Sequence, residues 1–198
     1  MARIFAKALN CEQRGDSPDP CDACDSCESI RTGRSLDVVE IDAASNNGVE
    51  DIRELRENVK LGTVSSKYRV YIIDEAHMLS TAAWNAFLKT LEEPPPHVIF
   101  VFASTEKDRF PPTILSRCQQ FEFHRMAHDE ITARLEELLG SEEVTLDADA
   151  LALIAQQSEG CLRDAQSILE QIIDLIVVGG RLVGFVGGMM DLPDDVER

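Results

Sequence analysis

Apolar residues recur in two rhythms along this chain, and the change from one to the other divides it. In the first part, short runs that are apolar on both parities alternate with stretches of helical period. Arg69-Val70-Tyr71-Ile72-Ile73 and Val98 to Ala103 are β-branched or aromatic almost throughout, the pattern of strands covered on both faces in a parallel α/β sheet. Leu36 to Asp42 predicts a strand before them and Gln119 to Phe123 a last short one after them. Val49, Ile52, Leu55 and Val59 form the apolar stripe of a helix over about 49–61. Trp84, Phe87, Leu88 and Leu91 face inward from a second helix, which Ser80 or Thr81 caps and Pro94-Pro95-Pro96 cannot continue. The opening Ala2 to Leu9 also reads as a helix, because Ile4/Phe5 and Ala8/Leu9 recur four apart and share one face. Buried strand, helix and buried strand in alternation select a three-layer α/β domain with right-handed crossovers.

Past Met126 the strand patterns stop. Three helical patterns follow at about 128–139, 147–158 and 162–177, the last with Leu162, Ala165, Leu169, Ile172 and Ile176 on one stripe. The expected organisation is an α/β core over 1–126, a helical domain over 127–177 and an irregular tail over 178–198. Within the core, Cys11 to Gly33 is rich in Pro, Gly, Asp and Cys, which predicts a loop-rich insertion without a regular element.

Charge narrows the roles open to such a chain. Nineteen basic residues stand against 36 acidic ones, a formal net charge of −17, which argues against holding DNA mainly through the chain's own phosphate contacts. No run approaches the roughly 18 consecutive apolar residues of a membrane span, and the N-terminus has no apolar core behind a basic flank, so the expected location is cytoplasmic, with no membrane partner.

Five clusters carry candidate chemistry. Cys11, Cys21, Cys24 and Cys27 supply four soft ligands within one short segment, enough to close a tetrahedron around Zn²⁺ at about 2.3 Å and, with every position filled, to make it structural. Val70 to Ile73 followed by Asp74-Glu75 is an apolar strand ending in two adjacent acids; such a tip can present one acid to Mg²⁺ and the other to an attacking water, and by itself it fits an ordinary surface acid pair equally well. Thr105, in Ala103-Ser104-Thr105 at the end of the next strand, could reach a phosphate or water beside that pair. Arg117 follows a helical turn opened by Pro111-Pro112, where it suits charge transfer to a phosphate on a neighbouring subunit, or a plain surface ion pair. Arg163 opens the last helix and could reach a phosphate, or simply be solvated. The letters Asp74-Glu75-Ala76-His77 also spell the box of one helicase group, but the 121 residues after His77 hold no second strand-helix domain of the kind such enzymes need. A zinc-dependent nucleic-acid grip is disfavoured by Asp16, Asp19, Asp22, Asp25 and Glu28 around the cysteines.

Taken together, the four-cysteine insertion after the first helix, Glu40 to Gly48, Tyr71 to Leu79, Asn85 to Pro95, Ile114-Leu115-Ser116-Arg117-Cys118 and Gly160 to Ala165 resemble the gamma/tau family of bacterial DNA polymerase III clamp loaders, ATPases of the AAA+ class. The resemblance covers Ala2 to about Leu175. It implies an AAA+ nucleotide-binding core with a zinc module over 11–33 and a helical lid over 127–177. It further implies Asp74 with Mg²⁺, Glu75 as acid/base for water, Thr105 as sensor 1, Arg163 as sensor 2 and Arg117 acting in trans on the ATP of the next subunit. The partners implied are other clamp-loader subunits, the sliding clamp and, through the assembled complex, primed DNA. In the family a Gly-x-x-x-x-Gly-Lys-Thr loop stands before the helix that begins here at Ala2, and a collar-forming domain follows the lid. The resemblance therefore implies a chain cut at both ends, without its first strand and P-loop, and with impaired ATP binding of its own. The alternative is a non-hydrolysing stator subunit that donates Arg117 to a neighbour; a stator has no need of a complete acid pair together with Arg163, and this chain keeps both.

Overall fold

A computed structural model describes residues 1–140 and 144–179, with side chains in the last helix as far as Leu175. The chain forms two compact units, Met1–Gln120 and Phe121–Arg198. In chain order the first holds α1 (Ala2–Asn10), α2 (Asp25–Arg31), β1 (Val38–Asp42), α3 (Val49–Val59), β2 (Arg69–Asp74), α4 (Thr81–Glu92), β3 (Val98–Phe102) and α5 (Pro112–Leu115). The second holds α6 (His128–Leu139), α7 (Ala148–Gln157) and α8 (Leu162–Gly179).

Among the described residues the three strands form one parallel sheet in the order β1-β2-β3, with Asp42 opposite Asp74 and Ile73 opposite Phe102. The two parities of β2 explain its continuous apolar run. Val70 and Ile72 pack with Ala6 of α1 and Ile30 of α2 on one face, while Tyr71 and Ile73 join Ile52, Leu55 and Val59 of α3 and Trp84 and Phe87 of α4 on the other. Helices on both faces of a parallel sheet give the three layers expected from the sequence. Ser80 is the cap of α4, its hydroxyl accepting the Ala83 N–H at 3.2 Å.

Three expectations need correction. Gln119–Phe123 forms no strand; it has no ladder neighbour, and Phe121 and Phe123 stand 72% and 70% exposed. Alternating apolar residues supply a strand's face, but without a partner chain its backbone groups stay with solvent. The cysteine segment, expected to lack regular structure, contains α2. From Asp25 to Arg31 it has neither Pro nor Gly, Asp25 and Glu28 lie in the first turn and Arg31 in the last, complementing the helix dipole. In α1, Ile4 and Phe5 are each 48% exposed, and the buried positions are Ala6, Lys7 and Asn10. A helix of small and polar residues can lie close against a sheet when its polar groups are satisfied. Lys7 pairs with Asp22 of the cysteine loop, and the Asn10 amide both donates to the Tyr68 carbonyl at 3.0 Å and accepts the Tyr68 N–H at 2.8 Å.

At the entry to β1, Asp37 is fully buried. Its carboxylate accepts the N–H groups of Val64, Ser65 and Ser66 at 2.8, 2.9 and 2.9 Å and faces Arg69 Nε at 3.7 Å. In the second unit Ile131, Leu135 and Leu139 of α6, Leu151, Ile154 and Ala155 of α7 and Ala165 and Leu169 of α8 share one core, with Leu162 and Ile172 partly buried against it. Helix α8 runs through Gly179; the rest of the irregular tail expected over 178–198 lies outside the described residues.

Candidate functional site

The C-terminal tips of parallel strands are where an open α/β sheet exposes loops to a ligand, and the acid pair sits at such a tip. Strand β2 ends at Asp74, and Glu75 then adopts φ 46° and ψ 41°, a left-handed conformation that costs a non-glycine residue of order 1–3 kcal/mol. Two bonds hold the turn: the Glu75 N–H donates to Asp74 Oδ1 at 3.0 Å, and the Ala76 N–H to the Ala103 carbonyl at 2.9 Å. The result places the Glu75 side chain beside the exit of β3, where Thr105 Oγ1 lies 3.5 Å from Glu75 Oε2. Asp74, Glu75 and Thr105 are thus brought together by the register of two adjacent strands.

A histidine joins them. His77, in a short 3₁₀ turn over Ala76–Met78, has a side chain only 7% exposed. Its Nδ1 is 3.0 Å from Ser104 Oγ and 3.3 Å from Glu75 Oε2, and its Nε2 is 3.2 Å from Glu106 Oε1. Glu106 in turn pairs with Arg109 Nε at 2.9 Å, and the Glu106 N–H donates to Ser104 Oγ at 3.0 Å. In the sequence His77 stands out only as a letter of the helicase box. The one signal available there was spacing: His77 follows Glu75 by two residues, and a turn there can bring both onto the β3 exit.

Arg117 follows α5, which Pro112 opens. Its Nη1 donates to the Thr113 carbonyl at 2.7 Å and its Nη2 to Glu92 Oε1 at the end of α4, at 3.0 Å. It is not among the groups gathered around Glu75 in its own unit. Glu92 escaped sequence reasoning because no spacing rule links residues on two separate helices. Arg163 is exposed in the first turn of α8, in the second unit.

The cysteines make a second centre. The Sγ atoms of Cys11, Cys21, Cys24 and Cys27 all lie within 4.8 Å of one another, near the edge of about 3.8 Å that a tetrahedron with Zn–S bonds of about 2.3 Å requires. Cys24 and Cys27 are buried, Cys11 and Cys21 half-buried. The Cys21 N–H donates to Cys11 Sγ and the Cys24 N–H to Cys21 Sγ, both at 3.3 Å, an arrangement that favours thiolates. The Cys11 thiol is lowered by the N–H of Cys21. Burial pushes Cys24 up, but N–H groups from Cys27 and Glu12 outweigh it and leave the thiol at about 7. Burial, with Cys24 beside it, pushes Cys27 up to about 12. A soft, closed, all-sulfur donor set of this geometry fits zinc and leaves no open position for a reactant. Cys118 lies outside the cluster, its thiol raised by burial.

The arrangement offers two hard oxygen donors and a hydroxyl at strand tips, suited to a divalent cation and a polarised water, together with a separate four-thiol staple. Residues 1–127 match the family described as DNA polymerase III, delta subunit, and residues 130–176 match the DNA polymerase III clamp loader subunit, ATPase lid domain. DNA polymerase III subunit tau of Bacillus subtilis is 49% identical over 172 residues, 87% of this chain and 30% of that one. Subunit tau of Escherichia coli is 47% identical over 173 residues, 87% of this chain and 27% of that one. The chain therefore spans about a third or less of these two relatives. Among solved structures, the Thermotoga maritima RuvB Holliday junction branch migration motor superposes with a TM-score of 0.60 at 17% identity, over 77% of this chain and 50% of that one. At that identity the likeness concerns the fold, which is AAA+-like with a helical lid.

Proposed function

Because this chain belongs to the DNA polymerase III clamp-loader family, as a subunit of the gamma/tau type, we propose that it is part of an ATP-driven motor that places a sliding clamp on primed DNA. The observation that carries this reading is the convergence of Asp74, Glu75 and Thr105 at the adjacent tips of β2 and β3, with Thr105 Oγ1 3.5 Å from Glu75 Oε2. In this reading Asp74 holds Mg²⁺, which when bound neutralises phosphate charge. Glu75 orients and deprotonates the attacking water, Thr105 donates to the water or the γ-phosphate, and Arg163 answers the nucleotide from the lid. Arg117 leaves Glu92 to reach the ATP of an adjacent subunit. Cys11, Cys21, Cys24 and Cys27 hold a structural Zn²⁺ that closes the loop between α1 and α2. The partners are the other clamp-loader subunits, the clamp and, through the complex, DNA; the net charge of −17 suits a chain that meets DNA in company. Among the described residues no helix is long and apolar enough to cross a membrane, in keeping with a cytoplasmic role.

The test is ATP turnover by the clamp loader assembled around the full-length subunit. Glu75→Gln lowers kcat by about 100-fold or more, the range expected for loss of a positioned base, while nucleotide binding persists. Undiminished turnover in that variant overturns the reading.

A further inference from the structure

We propose that His77 is a positioning residue for Glu75, setting the direction of its carboxylate by locking it to the exit of β3. The proposal rests on the reading of Glu75 as the water-polarising group and goes beyond it to the device that aims that group. A buried imidazole between two acids is an unusual choice if it only fills space. His77 has polar neighbours at both nitrogens: Glu75 and Ser104 at Nδ1 and Glu106 at Nε2.

Glu106 fixes the ring. A carboxylate that accepts needs a donor, so the contact of Nε2 with Glu106 at 3.2 Å is a hydrogen bond where Nε2 carries the proton. Glu106 is itself held from two sides, by Arg109 Nε and by its own N–H on Ser104 Oγ, so the imidazole is clamped at one end to the segment that follows β3. Its other end then meets the Glu75 carboxylate at 3.3 Å. Glu75 has an unusual backbone, with φ 46°, which turns its side chain out of the line of β2. Thr105 Oγ1 approaches the same carboxylate at 3.5 Å, too long to hold it alone. His77 Nδ1, at 3.3 Å, supplies the second hold on the same oxygen, Oε2, when it carries a proton. Ser104 Oγ lies 3.0 Å from the same nitrogen; the hold on Glu75 needs the proton on Nδ1, and the hydroxyl, which already accepts the Glu106 N–H, then accepts from Nδ1 as well.

The two ends of the ring make separable predictions. His77→Asn places an amide near Nδ1 and gives up Glu106; His77→Gln reaches towards Glu106 and gives up the group beside Glu75. In the assembled clamp loader, His77→Ala lowers kcat by about 10- to 100-fold, the size expected when a supporting contact is lost, with the nucleotide KM unchanged. His77→Asn recovers turnover better than His77→Gln. A role confined to folding through Glu106 reverses that order and refutes the proposal, as does His77→Ala turning over like the unsubstituted protein. The melting temperature of each variant separates loss of fold from loss of positioning, and the Asn/Gln order decides the matter even if the Ala variant fails to fold. A second readout needs no turnover. In this chain as it stands, imidazole ¹⁵N spectra of Glu75→Gln show the His77 Nδ1 resonance moved and Nε2 in place; an unmoved Nδ1 refutes the contact. Full turnover in Glu75→Gln would instead refute the parent reading, with the spectra still judging the contact.

Discussion

Replacing Asp37 by Asn removes one charge from a fully buried site and leaves the shape almost unchanged. The carboxylate accepts three backbone N–H groups at 2.8–2.9 Å, Val64 on Oδ1 and Ser65 and Ser66 on Oδ2. An amide keeps only one acceptor atom. If that atom serves Ser65 and Ser66, the amide NH₂ is driven against the Val64 N–H, and the surviving bonds lose their ionic character. A hydrogen bond to a charged group is worth about 1.5–3 kcal/mol. Arg69 makes the loss larger, since it is 9% exposed, its Nε has no hydrogen-bond partner, and Asp37, 3.7 Å away, is its counter-charge. Stranding one member of a buried pair typically costs about 3–5 kcal/mol. We expect Asp37→Asn to destabilise the first unit by about 3–5 kcal/mol, a large share of the roughly 5–15 kcal/mol that holds a domain together. Urea unfolding followed by circular dichroism at neutral pH measures it. The sign of the pH dependence follows from the direction of the shift. Burial pushes the Asp37 carboxyl up, but the N–H groups of Ser65, Val64 and Ser66 outweigh it and hold it below the ordinary carboxylate range. Its contribution is therefore fully present above the unfolded value of about 3.9 and is lost as pH falls through the lower folded value. The gap between the two proteins should be constant near neutrality and close only in acid. A difference under about 1 kcal/mol at pH 7, the size of an ordinary surface change, would refute this account.

Two further outcomes follow from features already described. The purified chain should carry zinc near one equivalent per four-cysteine cluster by elemental analysis, and Cys27→Ser or a chelator should lower its melting temperature; because the Cys27 thiol, at about 12, must lose its proton to bind, apparent zinc affinity should weaken as pH falls, and a pH-independent affinity would contradict the assignment. In the second unit Gly160→Ala, at φ +83°, would place a Cβ 2.7 Å from Arg125 Cβ and 3.0 Å from the Met126 carbonyl, so a loss of about 2–4 kcal/mol is expected; an unchanged thermal transition would show that the loop relaxes freely.

How much of this was legible depended on how far each signal reached along the chain. The two-sided apolar run of β2 announced its burial because Val70/Ile72 and Tyr71/Ile73 each needed a helix layer. The cap at Ser80 and the four cysteines were legible for the same reason, since their partners are close in sequence. Gln119–Phe123 failed because a strand is a property of two segments, and the alternation of Phe121 and Phe123 says nothing about a neighbour. Helix α2 was hidden by averaging its composition with the Pro- and Gly-rich residues before it. Asp37 reads in sequence as an ordinary solvated acid, and only the return of the chain at 64–66 makes it a buried hub. For the site, the strand tip carrying Asp74 and Glu75 could be seen, whereas His77 with Glu106 and Arg117 with Glu92 could not, because their distances are set by how separate elements pack.

The Asn10 amide meets the backbone of Tyr68 with a donor and an acceptor together, as a residue of a neighbouring strand would. In effect α1 contributes one rung to the sheet through a side chain. Both bonds are made at a single setting of the helix along its axis, and a slide of one residue, about 1.5 Å, breaks them jointly. The seating of α1 therefore has one register, which the Arg3–Glu40 ion pair at its other end shares.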